Sequence, residues 1–391
     1  MPEPLSIATA RERVLAAVTP LSHEDVAIAQ ALGRVLAAEV RAAGDVPPFR
    51  SSAMDGFAVV AGPAGRELTV IGESRAGHPA EGVLEPGSAI RISTGAVVPT
   101  GADAVLELEL ADDAGGRVTL SAEVERGRNI REPGGALRGG SVVLAAGTVL
   151  GPAELGLAVS AGHAGVPCAR RPRVAVLVTG DELTAPGEPL GPGHIHDANL
   201  VSLAALVRRD GGEVVLEQQV ADTPQASRAA IAAALDIADL VLLSGGVSVG
   251  PHDHVRPALA ALGVEERFWR VALRPGGPLW FGVRDGVLVL GLPGNPVSAI
   301  VTYLLFARPA LAALVGAPEA STITGVLGEP VARDPRRDLC LRVTLRDGCA
   351  TLAGAQDSHV LRSLVLADAL AVIPRGTGDL PAGTPVELVA L

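Results

Sequence analysis

Hydrophobic positions near the N-terminus recur at the spacing of an amphipathic helix. Residues 6–18 show this pattern, which predicts a helix that is capped by Ser6 and ends at Thr19-Pro20. Residues 28–42 are rich in alanine, a strong helix former, and are expected to be helical in part. The N-terminal region is therefore expected to be mainly helical.

From Pro47 to about Gly140 the pattern changes to short β-rich runs that are separated by Gly, Pro and Asp. The runs are GFAVVAG, RELTVIGES, SAIRISTGA, DAVLELEL and GRVTLS. Runs of this length with turn residues between them predict a small all-β or barrel-like module. Residues 152–165 return to a helical pattern and predict a short helix after that module.

After a hinge rich in Pro and Arg, continuous apolar strands alternate with amphipathic helices. The alternation starts with VAVLV and continues to GVLVLGLPGNPVSAIVTYLLF. It predicts a doubly wound parallel α/β sheet over residues 170–320, with its sites at the C-terminal ends of the strands. After Gly316 short strands return and predict a second β module.

The composition excludes several classes of function. The formal net charge is −11 and aromatic residues are 2% of the chain, so no nucleic-acid surface and no attraction to anionic membranes is expected. All 32 basic residues are arginine, which excludes a Walker A loop and a Schiff-base lysine. An anionic substrate would therefore bind through arginine side chains, helix N-termini or metal ions.

Length and cysteine usage indicate an intracellular protein of several domains. At roughly 150 residues per domain, 391 residues predict two to four domains. The first residues lack the pattern of a signal peptide, and the apolar stretch 301–315 is interrupted by Arg308 and Pro309, so it is expected to be too short and too charged to span a membrane. Three scattered cysteines indicate buried thiols in a reducing compartment. They are Cys168, Cys340 and Cys349. We therefore expect a cytoplasmic location.

Two junctions between a strand and a loop carry groups that could bind ions. In Thr179-Gly180-Asp181-Glu182 an acidic pair follows a buried strand, which suits Mg²⁺, but an ordinary helix N-cap at Asp181 explains the same pattern. In SGGVSVGPHD, residues 244–253, a glycine-rich loop lets backbone N–H groups approach a phosphate. Hydroxyl and carboxylate side chains surround those glycines, which favours a binding loop over a plain turn. The candidate residues of this loop are Gly245, Gly246, Ser248, Gly250 and Asp253.

A third junction, GLPGNPVS at residues 291–298, precedes an apolar helix. Asn295 is a good N-cap and Pro296 a good first helical residue, so the helix N-terminus that follows is a candidate anion site. Cap chemistry alone explains those two residues but does not explain Gly294. Ser298 completes the set of candidate binding residues in this segment.

Two histidine pairs leave a different chemistry open. His194 and His196, like His252 and His254, have the alternate spacing that would let both side chains of a strand chelate a metal. Both pairs lie in loops rich in Gly and Pro, where solvated histidines are the more common outcome. A metal-dependent phosphoesterase remains the alternative that these histidines support.

Seven strings along the chain resemble the molybdopterin molybdenumtransferase family, the MoeA-type proteins and the corresponding domain of gephyrin. They cover roughly residues 45–310 and occur in the order PPFRSSAMDGFAV, RISTGAVVPTGADAV, GRNIREPG, RVAVLVTGDEL, SGGVSVGPHD, FWRVALRPG and GLPGNPVSA. Seven long strings in register are highly specific. The resemblance implies transfer of molybdate to adenylylated molybdopterin with release of AMP. It also implies a need for Mg²⁺ or another divalent cation, and a molybdopterin adenylyltransferase as a possible partner.

The resemblance implies a multi-domain α/β plus β architecture. A helical dimerisation domain comprises residues 1–45 and 140–168, and an inserted β module residues 46–139. A molybdopterin-binding α/β domain follows at 169–318, and a C-terminal β barrel at 319–391. The protein would be a homodimer. Each site would lie between the α/β and C-terminal domains of one subunit and the β module of the other.

The resemblance also implies site residues. Glu182 and Asp253, either alone or together with Asp197, would hold the metal ion near the phosphates, and further functional residues would act on the substrates. These are Asp55, Thr94, Asp197, Arg270 and Arg274, the two arginines standing where the family usually has lysine. Arg270 and Arg274 would stabilise charge on the pyrophosphate or on molybdate, and the loops at 245–250 and 294–298 would cradle the pterin phosphate or AMP.

Three departures from the family pattern accompany the resemblance. Gly135-Ala136 replaces an acidic pair, Gly277 replaces the lysine of P-G-K-P, and Arg50-Ser51 replaces an acidic-Asn pair. These changes leave open a paralogue that binds molybdopterin or another protein without turnover. They do not bear on whether molybdate or tungstate is the oxyanion, because the two are nearly equal in size and charge.

Overall fold

The computed structural model describes residues 3–246, 253–318 and 322–391. The first helix spans Ile7–Leu15, and Ser6 Oγ accepts a hydrogen bond of 3.1 Å from the Thr9 N–H, which confirms the predicted N-cap. Ala10 and Val14 are fully buried in the core of the α/β region. This helix therefore packs on the central sheet.

Residues 23–41 and 142–169 form a small module with its own hydrophobic core. Strand His23–Ala27 pairs antiparallel with Gly165–Ala169, and Val40–Arg41 pairs with Val142–Leu144. The short helix predicted after the β module is present as Pro152–Ser160.

The helix predicted within residues 28–42 is wrong apart from the 3₁₀ turn Ile28–Gln30. The segment instead forms isolated antiparallel bridges, one between Val35 and Val149 and one between Leu36 and Cys168. Pairing with a distant segment overrides the helix propensity of alanine, which is a weak preference.

Six strands between residues 56 and 120 form one mixed sheet, which confirms the predicted β module. Alternate residues of its strands face two cores, with Phe57 and Leu106 in one and Ala58 and Val105 in the other. The strand order is Ala104–Glu107, Gly56–Val59, Ser88–Ile92, Glu67–Ser74, Arg117–Leu120 and Ala111–Asp113. Outside this sheet lie the 3₁₀ turn Leu108–Leu110 and the pair Ser51–Ser52 and Ile130–Arg131.

The central sheet of the α/β region has six strands. The first four in spatial order pair in parallel, the fifth pairs antiparallel with the fourth, and the sixth pairs antiparallel with the fifth. In spatial order they are Glu213–Val220, Arg173–Thr179, Leu240–Ser244, Val287–Leu292, Trp280–Arg284 and Glu265–Trp269. The predicted parallel sheet is thus confirmed for four strands, and the sequence analysis assigned no strand to the other two. The strand order reverses between Arg173–Thr179 and Leu240–Ser244, so a crevice opens at their C-terminal ends.

Helices cover both faces of this sheet, as predicted for a doubly wound fold. Val174 and Val176 face one core, while Ala175 and Leu177 face the other. The first core includes residues of helices Ala198–Arg209 and Pro296–Thr302, and the second includes residues of Pro224–Ile237 and Val255–Ala261. The alternation explains why these strands are apolar throughout.

The helix Pro296–Thr302 continues through a π-helical segment, Tyr303–Ala307, into Arg308–Leu314. By length and composition alone, this run of 19 residues is apolar enough to cross a membrane, contrary to the expectation from Arg308 and Pro309. However, 72% of its apolar window is buried within the protein, which is the environment of a core helix.

Five C-terminal strands close a barrel, which confirms the second β module. In order they are Asp338–Arg346, Cys349–Leu352, Ile323–Leu327, Pro385–Ala390 and Ala369–Ile373, and the last pairs with the first. Leu273–Arg274 of the α/β region pairs in parallel with the start of Asp338–Arg346. This pairing joins the two domains. The strands Leu183–Thr184 and Ile195–His196, the strands Val331–Ala332 and Asp379–Leu380, and helix Arg362–Val365 complete the described elements.

Candidate functional site

A cavity of about 690 Å³ lies at the C-terminal ends of all four parallel strands. Three acidic residues line it: Glu182 follows strand Arg173–Thr179, Asp222 follows Glu213–Val220, and Asp253 follows Leu240–Ser244. We call it the acidic cavity. Its position is the one expected for ligands of open α/β sheets.

The backbone at Gly180 makes room for the Glu182 side chain. A Cβ atom at residue 180 would lie 2.5 Å from Glu182 Oε2, which is closer than side-chain atoms approach. The neighbouring Asp181 and Asp222 are joined by two hydrogen bonds, because the N–H group of each donates to the carboxylate of the other, at 3.0 and 3.3 Å. Two of the strand ends that line the acidic cavity are therefore tied together.

The glycines after the third strand permit a close approach of two loops. Gly245 has a φ of +89°, and a Cβ atom there would lie 2.6 Å from the Thr179 carbonyl oxygen. A Cβ atom at Gly294 would lie 3.7 Å from the Cα of Gly245, so the two loops face each other. Gly245, Gly246 and Gly294 all line the acidic cavity, whereas Ser248, Gly250 and His252 lie outside the described residues.

Asn199 connects these loops through its side-chain amide. Its Nδ2 atom donates to Ser244 Oγ at 2.9 Å and to the Gly294 carbonyl at 2.7 Å. Ser244 Oγ in turn donates to the Pro293 carbonyl at 3.2 Å. Asn199 and Ser244 are buried, so this network fixes the relative position of both glycine loops.

A second cavity of about 270 Å³ adjoins the first, and its lining contains two arginines and one acidic residue, Asp357, which gives it a net positive formal charge. Arg274 of the α/β region and Arg337 of the barrel line it, together with Ser298, Gly276 and Gly277. We call it the arginine cavity. Arg337 also forms an ion pair of 3.0 Å with Asp334 behind it, which leaves Arg274 as the arginine of this cavity with no ion pair among the described residues.

The barrel segment 356–359 completes both cavities. Pro278 and His359 line the acidic cavity and the arginine cavity, so they form the wall between them. Ser358 binds the start of the helix Pro296–Thr302 in two places. Its Oγ accepts a hydrogen bond of 2.9 Å from Asn295 Nδ2, and its carbonyl oxygen accepts one of 3.1 Å from the Val297 N–H.

These contacts differ from the simple cap expected at the third junction. Asn295 does occupy the N-cap position, but its side chain forms no cap hydrogen bond. It binds Ser358 instead, and the Val297 N–H is already bonded to the barrel. The start of this helix is therefore an interdomain contact as well as part of the cavity lining.

Asp197 and Arg270 do not line either cavity. Asp197 is 4% exposed and caps the helix Ala198–Arg209, with Oδ1 accepting from the Leu200 N–H at 3.0 Å. The guanidinium of Arg270 lies 4.2 Å from the centroid of the Trp269 ring, and that of Arg256 lies 4.4 Å from it. Their catalytic roles stay predictions.

Asp55 and Thr94 lie together in the β module. The Thr94 N–H donates to Asp55 Oδ1 at 2.7 Å, and the two residues precede and follow paired strands. No residue of the β module lines the acidic or the arginine cavity of the same chain among the described residues. The structure therefore groups the predicted site residues into two separate sets.

The other metal-binding and thiol candidates have structural surroundings. His194 Nδ1 lies 3.3 Å from Thr184 Oγ1, and His196 Nδ1 lies 3.3 Å from the Ala185 carbonyl. Within the three described ranges, no group of three His, Cys, Asp or Glu side chains is arranged as a ready-made metal site. Burial raises the pKa of the Cys340 thiol to about 12, as expected of an unreactive core thiol.

Comparisons with known proteins cover nearly the whole chain. The MoeA N-terminal region (domain I and II) matches residues 5–162, a probable molybdopterin binding domain matches 175–313, and the MoeA C-terminal region (domain IV) matches 324–391. The molybdopterin molybdenumtransferase of Haemophilus influenzae is 35% identical over 98% of this chain and 98% of its own length.

The chain belongs to the molybdopterin molybdenumtransferase family. Molybdopterin molybdenumtransferase 2 of Mycobacterium tuberculosis is 36% identical over 93% of this chain and 94% of its own. A crystal structure of a molybdopterin biosynthesis MoeA protein from Pyrococcus horikoshii OT3 superposes with a TM-score of 0.86 at 28% identity, covering 100% of both chains. These findings confirm the family and the transferase class predicted from the seven strings.

Two departures from the family pattern can be placed in the structure. Gly277 lines the arginine cavity, and a Cβ atom there would lie 3.1 Å from the Leu273 carbonyl oxygen, so the backbone is packed closely around this glycine. Ala136 lies in the segment that pairs with Val46, where its N–H donates to the Val46 carbonyl at 2.9 Å. The loss of a cation at Gly277 therefore leaves Arg274 and Arg337 as the cationic side chains of the arginine cavity.

Several residues that line the two cavities were missed by the sequence analysis. Asp222, Asn199, Arg337, Ser358 and His359 line one or both cavities. Asp222 follows a predicted strand end, and that position was the one signal that could have identified it. The barrel residues had no such signal, because their proximity arises only when two domains meet.

Proposed function

We propose that this chain transfers molybdate to adenylylated molybdopterin and releases AMP. The observation that carries the proposal is the pair of adjoining cavities with opposite charge, which share the wall formed by Pro278 and His359. A substrate with both a phosphoanhydride and a site for an oxyanion needs cationic charge in two places. A metal ion in the acidic cavity and guanidinium groups in the other would supply that charge.

The acidic cavity has the donor set that suits Mg²⁺. Glu182, Asp222 and Asp253 offer carboxylate oxygens from three strand ends, and both oxygen atoms of Asp253 are buried. Mg²⁺ in enzymes commonly binds one or two carboxylates, waters and substrate phosphates, so a complete protein cage is not required. When bound, the ion would neutralise charge on the phosphates and on the departing AMP.

In this assignment Glu182 and Asp253 hold the cation, and the glycine loops position the phosphates. Gly245 and Gly246 line the acidic cavity next to the Gly294 loop, and the Gly245 N–H donates to the Leu292 carbonyl at 3.3 Å, so the phosphates would meet this loop mainly at Gly246. Asn199 keeps these loops in register through its bonds to Ser244 and Gly294. Together they would hold the pterin phosphate or AMP in a fixed orientation.

The arginine cavity is the proposed site of the oxyanion. Arg274 and Arg337 offer guanidinium donors, Ser298 and Ser358 offer hydroxyl groups, and the volume of about 270 Å³ suits a small tetrahedral dianion such as molybdate. His359 lines both cavities, so it would lie between this anion and the phosphates. Arg270 remains a predicted contributor that the cavity lining of a single chain does not include.

We further propose that the active form is a homodimer. Asp55 and Thr94 do not line the cavities of their own chain, so they would reach a site only in a second copy. The module that contains the helix Pro152–Ser160 exposes large apolar side chains, as expected of an interface. These are Leu32, Val142, Val149, Leu157 and Val159, which are 36–59% exposed.

The substrate and the location follow from the same proposal. A molybdopterin adenylyltransferase would supply the adenylylated molybdopterin. The present protein would consume this compound before it is released into bulk solvent. Such an exchange of labile intermediates fits a cytoplasmic enzyme. The net charge of −11 is consistent with a protein that binds neither nucleic acid nor anionic lipid.

A binding paralogue without turnover is the second candidate, and Gly277 is the observation that favours it. The arginine cavity lacks the cation that the family usually carries at this position. A paralogue of this kind would bind the adenylate and leave it intact. The phosphoesterase alternative has less support, since His194 and His196 lie beside loop oxygen atoms instead of forming a metal site.

Release of AMP from adenylylated molybdopterin tests the proposal. The purified protein is incubated with the adenylate and Mg²⁺, with and without molybdate, and AMP is measured over time. We expect molybdate to stimulate release and removal of Mg²⁺ by a chelator to abolish it. Tight binding of the adenylate without release would establish the paralogue instead.

A further inference from the structure

Arg342 is a fully buried arginine in the first strand of the C-terminal barrel, Asp338–Arg346. Its side chain has 0% exposure and forms no salt bridge within the described part of the chain. Burial lowers the pKa of Arg342, and the charge of the nearby Asp357 opposes this shift. A charged group in this environment is costly, and an apolar side chain of similar size would fill a barrel core more favourably.

The guanidinium of Arg342 donates its hydrogen bonds to one stretch of the chain, residues 355–363. Its NH2 atom donates to the carbonyl oxygens of Ala355 and Asp357, at 3.1 and 3.2 Å. Its Nε atom donates to Ser363 Oγ at 3.1 Å, at the far end of that stretch. The planar guanidinium therefore holds both ends of the stretch 355–363.

The side chain of Gln356, in the same stretch, forms two hydrogen bonds with the backbone of Arg342. Gln356 Oε1 accepts from the Arg342 N–H at 2.9 Å, and Gln356 Nε2 donates to the Arg342 carbonyl at 3.1 Å. The backbone and the side chain of Arg342 are thus both bonded to residues 355–357. This arrangement determines where the next two residues, Ser358 and His359, can lie.

Those two residues connect the barrel to the α/β side of the site. Ser358 binds Asn295 and the Val297 N–H at the start of the α/β helix, and His359 lines both cavities. Arg342 itself lines neither cavity. The Asp357 carbonyl oxygen, which accepts a hydrogen bond from Arg342, lies one residue before Ser358.

We propose that Arg342 is a positioning residue, which holds the 355–359 segment so that Ser358 and His359 close the arginine cavity against the α/β domain. The inference rests on the proposed function for its kinetic consequence. The geometric part, that Arg342 determines the order of this segment, stands independently of it. Arg342 makes no contact with substrate in this account.

The test compares Arg342→Met, which keeps the length of the side chain and removes the charge and the donors, with Arg346→Met. Arg346 lies at the end of the same strand with an exposed side chain, so its variant is a matched control. Ser363→Ala is the milder variant, because it leaves the Arg342 side chain in place and Ser363 lines neither cavity. It removes the acceptor of Arg342 Nε and the bond of 2.7 Å that Ser363 Oγ donates to the Val360 carbonyl. It keeps the proposal testable if Arg342→Met does not fold.

Two readouts separate positioning from a general loss of stability. For Arg342→Met we expect the half-saturating concentration of molybdate to rise about tenfold, the effect of one lost hydrogen bond of ordinary strength, while kcat at saturating molybdate changes little. Ser363→Ala should show a smaller rise and Arg346→Met none. In a cycle with Ser358→Ala, the double variant Arg342→Met/Ser358→Ala should lose less than the sum of the two single losses, because both substitutions weaken the contact between Ser358 and Asn295.

Hydrogen exchange distinguishes failure of this inference from failure of the proposed function. Amides 355–359 and the Val297 amide should exchange faster in Arg342→Met and in Ser363→Ala, even if the wild-type protein proves to have no transferase activity. Unchanged exchange in both folded variants would overturn the proposal. Additive effects in the double variant, or a fall in kcat with an unchanged molybdate requirement, would also overturn it.

Discussion

Asn295 Nδ2 donates a hydrogen bond of 2.9 Å to Ser358 Oγ, and this bond joins the α/β domain to the C-terminal barrel at the edge of both cavities. A residue in an N-cap position normally bonds its own helix. Here the side chain bonds the neighbouring domain, and the carbonyl oxygen of Ser358 binds the helix N–H in its place. The domain contact and the site wall are therefore the same structure.

Asn295→Ala should weaken the reaction more than it weakens the fold. The substitution removes one side-chain hydrogen bond, worth about 1 kcal/mol, at an exposed position. We expect kcat/KM for AMP release to fall about fivefold to tenfold, with a melting temperature within a few degrees of wild type. Asn295→Leu, which keeps nearly the same shape and has neither a donor nor an acceptor, should behave like alanine. Wild-type kinetics in Asn295→Leu would contradict a role for this bond.

Gly245→Ala should disrupt the acidic cavity, and Gly211→Ala provides its control. Both glycines have positive φ, +89° and +86°, so both alanines are strained by about 1 kcal/mol. Only at residue 245 would the new Cβ atom meet a neighbour, the Thr179 carbonyl oxygen at 2.6 Å. We expect Gly245→Ala to lower stability further and to reduce binding of the adenylate at least tenfold. Equal affinities in the two variants, measured by equilibrium dialysis, would contradict the packing argument.

Asp239→Asn should lower stability in a way that depends on pH. Burial acts to raise the pKa of Asp239, but hydrogen bonds from Arg170 and from the Arg173 N–H, with the charges of both arginines, outweigh it and hold the pKa below its ordinary value. Since the folded pKa is the lower one, the stabilisation is present above the ordinary pKa of an aspartate and is lost as pH falls through the folded value.

Denaturant titrations check this prediction at several pH values. At pH 7 we expect Asp239→Asn to reduce the free energy of unfolding by about 2 kcal/mol, because two guanidinium groups lose their partner. The difference from wild type should shrink towards pH 3. Asp285→Asn, which removes an 85% exposed carboxylate paired with Arg284, should cost little at any pH. A constant difference across the range would contradict the assigned cause.

Mixing two inactive variants tests whether Asp55 acts across subunits. Asp55→Ala and Glu182→Gln are each expected to reduce turnover by at least a hundredfold as homodimers. If Asp55 serves the partner's cavity, a mixed dimer has one intact site. Co-expression at equal levels should then restore about a quarter of wild-type activity, since half of the dimers are mixed. No recovery, with mixed dimers verified by mass spectrometry, would place Asp55 in its own chain's site.

The sequence predicted the elements whose pattern is local. The strand Arg173–Thr179 was predictable because burial on both faces gives a continuous apolar run in the sequence. The Ser6 cap was predictable because a short polar residue directly precedes an amphipathic pattern. Residues 28–42 were misassigned, because distant pairing decides their structure and alanine propensity does not.

The residues of the candidate site also comprise a set that the sequence predicts and a set that it does not predict. Glu182, Asp253 and Gly245 follow strand ends, so the α/β topology alone predicts that they converge. Arg337 and Ser358 come from another domain, and no spacing in the sequence relates them to Arg274. Their proximity depends on the pairing of Leu273–Arg274 with the barrel strand Asp338–Arg346. Only the tertiary structure shows that pairing.

The central claim is that the acidic cavity binds Mg²⁺ and the arginine cavity binds molybdate. One pair of titrations tests this claim most directly. AMP release by Glu182→Gln and Arg274→Met is measured against Mg²⁺ at fixed molybdate, and against molybdate at fixed Mg²⁺. Glu182→Gln should raise the half-saturating concentration of Mg²⁺ about tenfold or more and leave that of molybdate unchanged, while Arg274→Met should do the reverse. If each variant shifts both requirements equally, the two cavities do not bind separate ions and the account is wrong.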